Sequence, residues 1–151
     1  MTQWLNVKIL HPDAALPSKA HPGDAGFDLI ATYREWDELN KCYSYNTGIS
    51  VEIPEGYVGL IYPRSSIYRT SFLLNNSVGV IDSGYRGEIK LIFKDLHEYQ
   101  NVEDESLAVP YEIGAKIGQL VIMQLPKFIL KEVDELSDSN RGTNGFGSSG
   151  T

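Results

Sequence analysis

Short apolar runs that alternate with polar residues, each cut off by proline, glycine or an acidic turn, recur along this chain and leave little room for helices. Leu5, Val7 and Ile9 alternate with Asn6 and Lys8. Ile49, Val51 and Ile53 alternate ahead of Pro54-Glu55-Gly56, and an apolar run from Tyr57 to Tyr62 follows. Ile89, Leu91 and Phe93 repeat the period, and Lys116 to Leu125 carries a further run. A period of two belongs to strands buried on one face; an amphipathic helix would space its apolar residues by three and four. The pattern predicts strands at all of these places, with the two runs between 49 and 62 forming a hairpin on the Pro-Glu-Gly turn. Helical signal is confined to residues 67–72, and Tyr33 to Lys41 is open between a loop and one helical turn. The expected fold is all-β, a jelly-roll-like β-barrel of short strands with at most one or two helical turns and a flexible C-terminal arm.

At 151 residues the chain fits one domain able to bury a core without disulfides. Cys42 is the only cysteine, so no intramolecular disulfide and no zinc spacing arise. The first ten residues lack a basic start, and no apolar run approaches membrane-spanning length, so a soluble cytoplasmic protein is expected. A net charge of −7 argues against a nucleic-acid polymer as partner, which would need clustered Lys and Arg, but leaves room for a nucleotide. Lys94 to Ala115 is acidic, with Glu98, Glu103, Asp104 and Glu105, and reads as an exposed excursion and a candidate surface for a protein partner. From Ser137 the composition turns to Ser, Asn, Gly and Asp, dividing the chain into a domain at 1–136 and a mobile arm at 137–151.

Chemistry concentrates in Gly79-Val80-Ile81-Asp82-Ser83-Gly84-Tyr85-Arg86-Gly87, where an acid, an aromatic and a cation share a glycine-bracketed turn. The alternation on its far side predicts a β-hairpin pocket, with glycines at 79, 84 and 87 supplying positive φ or close approach to a small planar ligand. Taken alone, Asp-Ser-Gly reads first as turn chemistry and Tyr85 as a strand aromatic. Pro63-Arg64-Ser65-Ser66 places a cation and two hydroxyls where a helix start suits an anion, though a serine cap beside a surface Arg has the same composition. Asp28, in Ala25-Gly26-Phe27-Asp28-Leu29, is expected in a tight buried bend, capping backbone N–H groups or facing a charged site. Gln119 is the polar exception at the start of its strand. In the tail, Arg141 and Phe146 are spaced by glycines, as a flap that clamps phosphates and stacks on a base would require.

The segments AGFDL, PRSSI, GVIDSGYRG, KIGQL and RGTNGFGSSG, in this order from about residue 5 to the end, resemble the motifs of the trimeric deoxyuridine triphosphatases. The resemblance implies hydrolysis of dUTP to dUMP and pyrophosphate, which limits dUTP and supplies dUMP for thymidylate synthesis. It also implies a homotrimer with shared active sites, the tail of one chain closing over a pocket between two others. Asp82 resembles the carboxylate that orients water for attack on the α-phosphate. An aspartate is a feeble base towards water, so most of the acceleration must come from positioning and charge neutralisation. Tyr85 resembles the platform under deoxyribose that leaves no space for a 2′-hydroxyl, and Asn76 with backbone groups of Val80, Ile81 and Lys90 resembles the uracil-reading edge. Arg64, Ser65, Ser66 and Gln119 resemble the triphosphate contacts. In the arm, Arg141 resembles the γ-phosphate clamp, Phe146 the ring that stacks on uracil, and Gly147 and Ser148 further phosphate contacts. The implied cofactor is Mg²⁺, held mainly by phosphates and water. Two roles are open to Asp28: a contact to that metal through water, or support of Arg64.

Several positions depart from the family pattern. Lys116 stands where Arg is usual and Gly118 where Ala is frequent, Asn144 replaces a Gly and Ser149 a Thr, and Lys94 to Ala115 is longer than the usual connection. The related dCTP deaminases share the fold and an Arg-Ser-Ser segment but carry a catalytic Glu ten residues after the Asp that matches Asp82; here that position is Ile92. A reading from another class is a dUTP-responsive regulatory protein acting through 94–115.

Overall fold

The computed structural model describes residues 3–96 and 111–145. Among these residues ten strands and one short turn of 3₁₀ helix follow in order: β1 (Asn6–Ile9), β2 (Phe27–Ile30), β3 (Tyr33–Asp37), β4 (Cys42–Asn46), β5 (Ile49–Glu52), β6 (Tyr57–Tyr62), the 3₁₀ turn (Ser65–Arg69), β7 (Phe72–Leu74), β8 (Gly79–Ile81), β9 (Lys90–Asp95) and β10 (Lys116–Gln124). They form a four-stranded sheet β2-β10-β6-β8, a second four-stranded sheet β3-β4-β9-β7 and a two-stranded sheet β1-β5. The architecture is all-β and jelly-roll-like as expected, although the ladders do not join the sheets into one closed barrel.

Alternation sets the core. In β9 Leu91, Phe93 and Asp95 point inward while Lys90 and Ile92 point out. Leu29 and Leu120 of the first sheet meet Tyr45, Leu91 and Phe93 of the second and Ile49 and Val51 of the small sheet in one apolar cluster. The buried Asp95 carboxylate accepts a 2.6 Å hydrogen bond from Ser71 Oγ, which offsets part of the cost of burying it.

Several local expectations are corrected. Runs 49–53 and 57–62 are strands, and Gly56 at φ +83° turns the chain between them, but they do not pair as a hairpin. Instead β5 pairs with β1, and β6 lies between β10 and β8. The segment from Gly79 to Phe93 is likewise no hairpin: β8 pairs with β6 while β9 pairs with β4 and β7, so the turn crosses between sheets. Phe27 and Asp28 are not a bend but the start of β2, because Leu29 must enter the core and its neighbours then alternate outward. Tyr33 to Lys41, open in the sequence, forms β3 and a turn in which Asp37 Oδ1 accepts the Asn40 N–H at 2.9 Å. The helical turn starts at Ser65, two residues early, and Phe72 already belongs to β7. Most of the 94–115 excursion, residues 97–110, lies outside the described residues.

Tyr45 sits at the centre of the aromatic packing, with Phe93 at 5.8 Å and Tyr111 at 6.0 Å between ring centroids. Burial, against the opposing pull of Arg34, pushes its phenol up from 10.0 to about 12. The folded chain therefore keeps a proton that the unfolded chain releases, and this contribution is whole below pH 10 and lost as pH rises towards about 12. Equilibrium urea unfolding at stepped pH is expected to show that loss, and Tyr45→Phe to flatten it; an unaltered slope in the variant would contradict the assignment.

Candidate active site

Nine of the predicted residues line two separate depressions, whereas Ser66, Asn76 and Arg141 line neither. The first, of about 270 Å³, is lined by Val80, Ile81, Asp82, Tyr85, Glu88 and Lys90. It forms where β8 ends: the Tyr85 N–H donates to the Asp82 carbonyl at 3.0 Å, closing a turn that presents both side chains. Among the described residues β8 is the edge of its sheet, bonded only to β6, so its other edge offers N–H and C=O groups towards this depression. None of the three glycines has a positive φ, and Gly79 and Gly87 serve by close approach. A Cβ at Gly79 would lie 3.0 Å from Ile61 Cβ and 3.3 Å from Asn76 Nδ2, which lets the Asn76 amide fold back over the backbone. One at Gly87 would collide with the hydroxyl end of the Tyr85 ring, which lies against that glycine. Gly84 meets nothing.

The second depression, of about 260 Å³, is polar and lined by Ala20, Asp24, Ala25, Gly26, Asp28, Arg64, Ser65 and Gln119. Three elements converge on it. Asp28 of β2 lies opposite Gln119 of β10 in the ladder, and Arg64 and Ser65 come from the start of the 3₁₀ turn. The Asp28 carboxylate faces Lys116 Nζ at 2.7 Å and Arg64 Nε at 3.4 Å. With Asp24 also on the lining, two carboxylates balance the charges of Arg64 and Lys116, and what the depression offers an anion is the Arg64 guanidinium beside the Ser65 hydroxyl. Gln119 is held by its Nε2 donating to the Pro63 carbonyl at 3.2 Å, and Gly26 makes room for it, since a Cβ there would lie 2.6 Å from Gln119 Oε1. Ser66 is in the same turn but does not line the depression.

Sequence reasoning missed the groups that hold the Asp82 turn. Arg86 Nη1 donates to the carbonyls of Ser83 at 2.7 Å and Tyr85 at 2.9 Å, and its Nη2 reaches Glu52 Oε1 at 3.1 Å. The Asn6 amide, followed by Arg86, holds the Glu52 carboxyl below the usual carboxylate range. Glu52 ends an apolar strand, and nothing in the linear pattern ties it to Arg86. Lys116, noted in the sequence only as a departure, has a clear place as the nearer cation on Asp28. Gly118 also has one: a Cβ would run into Leu91 and lie 3.0 Å from the Tyr62 carbonyl.

The described part of the tail lines neither depression. Arg141 Nε donates to the Asn144 carbonyl at 3.0 Å, and Phe146, Gly147 and Ser148 lie outside the described residues. Among the described residues no group of three His, Cys, Asp or Glu side chains is arranged to hold a metal ion.

A family model described as dUTPase matches residues 12–150. The chain belongs to the dUTPase family. A deoxyuridine 5'-triphosphate nucleotidohydrolase of Clostridium tetani is 41% identical over 152 residues, covering 99% of each chain. Among solved dUTPase structures, that of Staphylococcus bacteriophage 80alpha with dUPNHPP has a TM-score of 0.82 at 33% identity and covers 99% of this chain and 100% of its own. A mutant dUTPase from phage phi11 of S. aureus, described with a structural Mg(II) ion, has a TM-score of 0.71 at 28% identity and covers 88% of this chain and 98% of its own. The dUTPase fold thus extends over the whole described body, including the two depressions.

Proposed function

We propose that this chain hydrolyses dUTP to dUMP and pyrophosphate by attack of water on the α-phosphate. The observation that carries the reading is the division of predicted residues, within a dUTPase fold, between a depression holding Asp82 and Tyr85, suited to base and sugar, and a polar one holding Arg64, Ser65 and Gln119. In the first, the free edge of β8 and the Asn76 amide would read O4 and N3–H of uracil. Cytosine would leave those groups unpaired, which is how such sites discriminate by large factors. Tyr85 would lie under the sugar, and Asp82 would orient water. In the second, Arg64, Ser65 and Gln119 would hold phosphate oxygens, with Ser66 adjoining them.

The two pockets share no lining residue, which supports a homotrimer in which one chain's phosphate pocket serves another's base pocket. The exposure of Phe128, Ile129 and Leu130 points the same way, since three adjacent large apolar side chains are seldom left in water. Arg141, Phe146, Gly147 and Ser148 would then close the site as an arm distinct from the 1–136 domain. A divalent ion such as Mg²⁺ would arrive on the triphosphate, which needs no protein cage and fits a site with few carboxylates. Bound there, it would neutralise phosphate charge. The ion pairs of Asp28 favour support of Arg64 and Lys116 over metal contact. No helix among the described residues is long and apolar enough to cross a membrane, and a nucleotide substrate with a buried free thiol at Cys42 accords with a cytoplasmic location.

Pyrophosphate release from dUTP, dCTP, dTTP and UTP, with Mg²⁺ and then with EDTA, tests the reading. Release from dUTP alone, weakened by EDTA, is expected. Binding of dUTP without release would replace the hydrolase by a dUTP-responsive regulator.

A further inference from the structure

We infer that Glu88, to which neither the motifs nor the chemistry above gives a role, is a positioning residue that sets the rejection of ribonucleotides by locking Tyr85 in place. The inference deepens the proposed function and rests on it.

The chain after the Asp82 turn is fastened at one point. Glu88 Oε2 accepts the Asn46 Nδ2–H at 2.7 Å and Glu88 Oε1 accepts the Gly48 N–H at 2.8 Å, so the two carboxylate oxygens are bound to the end of β4 and to the turn that follows it. The next residue continues the seam. The Ile89 carbonyl accepts from Thr47 Oγ1 at 2.7 Å and Thr47 N at 3.2 Å, and Ile89 N donates to the Ile49 carbonyl at 2.9 Å. Gly48 makes this approach available, since it sits at φ +68° with Ala14 and His11 where a Cβ would project.

What the seam holds is the carbonyl of Glu88, and that carbonyl accepts the Tyr85 hydroxyl at 3.0 Å. The ring is thereby fixed at its far end, pressed on Gly87, although Tyr85 is 44% exposed and nothing else tethers its hydroxyl among the described residues. A partly exposed tyrosine without such a tether would sample other rotamers. Excluding a 2′-hydroxyl by shape requires that the ring not yield, because a platform that shifts by a fraction of an ångström admits one oxygen atom. Hydrogen bonds to an ionised acceptor are also stronger than neutral ones, which suits a carboxylate to this fastening.

The test is the ratio of kcat/KM for UTP to that for dUTP. Glu88→Ala is expected to raise it by roughly tenfold or more, the scale on which sites that discriminate by shape lose selectivity. Glu88→Gln, which keeps one acceptor, is expected to restore most of the selectivity, and Tyr85→Phe combined with Glu88→Ala to relax it no further than the alanine variant alone. General loss of stability lowers both rates together and leaves the ratio where it was. If Glu88→Ala fails to fold by circular dichroism, Asn46→Ala, which removes one of the two donors from outside the pocket, is expected to raise the ratio by a smaller factor. An unmoved ratio in a folded variant that still turns over dUTP overturns the inference and leaves the hydrolase reading standing. Absence of dUTP hydrolysis in the unaltered chain overturns both.

Discussion

Asp82→Asn is expected to bind dUTP within a few-fold of the unaltered chain and to hydrolyse it roughly 10²- to 10⁴-fold more slowly, the usual range for loss of a positioned base. Amide and carboxylate have the same shape, and the turn is held by backbone and by Arg86, so the pocket survives the change. Among the described residues nothing is hydrogen-bonded or ion-paired to the Asp82 carboxylate, which leaves both oxygens for water. Asn retains one acceptor but can take no proton from the attacking water. Titration calorimetry with a non-hydrolysable dUTP analogue, beside pyrophosphate release from dUTP, separates the two effects. Ordinary turnover would place the base elsewhere, and loss of binding would make Asp82 a ligand-holding group instead.

The strands with clear alternation were legible because burial on one face is a local signal, written every second residue. Partner choice was not. The Pro-Glu-Gly turn at 54–56 and the glycine-rich turn at 79–87 both look like hairpin connections, yet each delivers its second strand to a different sheet. A turn fixes only where the chain reverses; which edge captures the strand depends on residues far off, such as the nine-residue β10 that separates β2 from β6. The run Cys42-Tyr43-Ser44-Tyr45-Asn46 shows the same limit, for its alternating tyrosines and polar residues give little sign that Tyr45 is a buried hub.

The site divides along the same line. Residues singled out by a short motif lie pair by pair in the fold, Asp82 with Tyr85 in one depression and Arg64 with Ser65 in the other. Residues that act by holding those in place were not singled out, because Glu52 reaches Arg86 and Asn46 reaches Glu88 across long sequence separations and on ordinary-looking strand ends. Gln119 stands between the two cases. Its place as a polar exception in an apolar strand was visible, whereas its dependence on Gly26 and on the Pro63 carbonyl was not.

Deleting residues 137–151 is expected to separate folding from activity. In the described part of this arm the hydrogen bonds are internal, from Gly142 to Ser139 and between Arg141 and Asn144. None ties it to the sheets, so stability should change by less than about 1 kcal/mol, as for surface changes generally. Activity should not survive so well. Stacking of Phe146 on the base, as proposed, would be worth roughly 1–3 kcal/mol. A charge-assisted contact from Arg141 to phosphate adds about 1.5–3 kcal/mol. If both act chiefly in the closed complex, the loss of about 2.5–6 kcal/mol corresponds to roughly 10²- to 10⁴-fold in kcat/KM. Phe146→Ala alone should account for the stacking share. Thermal melting, sedimentation and pyrophosphate release on the truncated chain check all three quantities. A folded truncated chain of unchanged assembly that still hydrolyses dUTP at the full rate would remove the arm from the active site, whereas a truncated chain that no longer assembles would make the arm part of the trimer's structure.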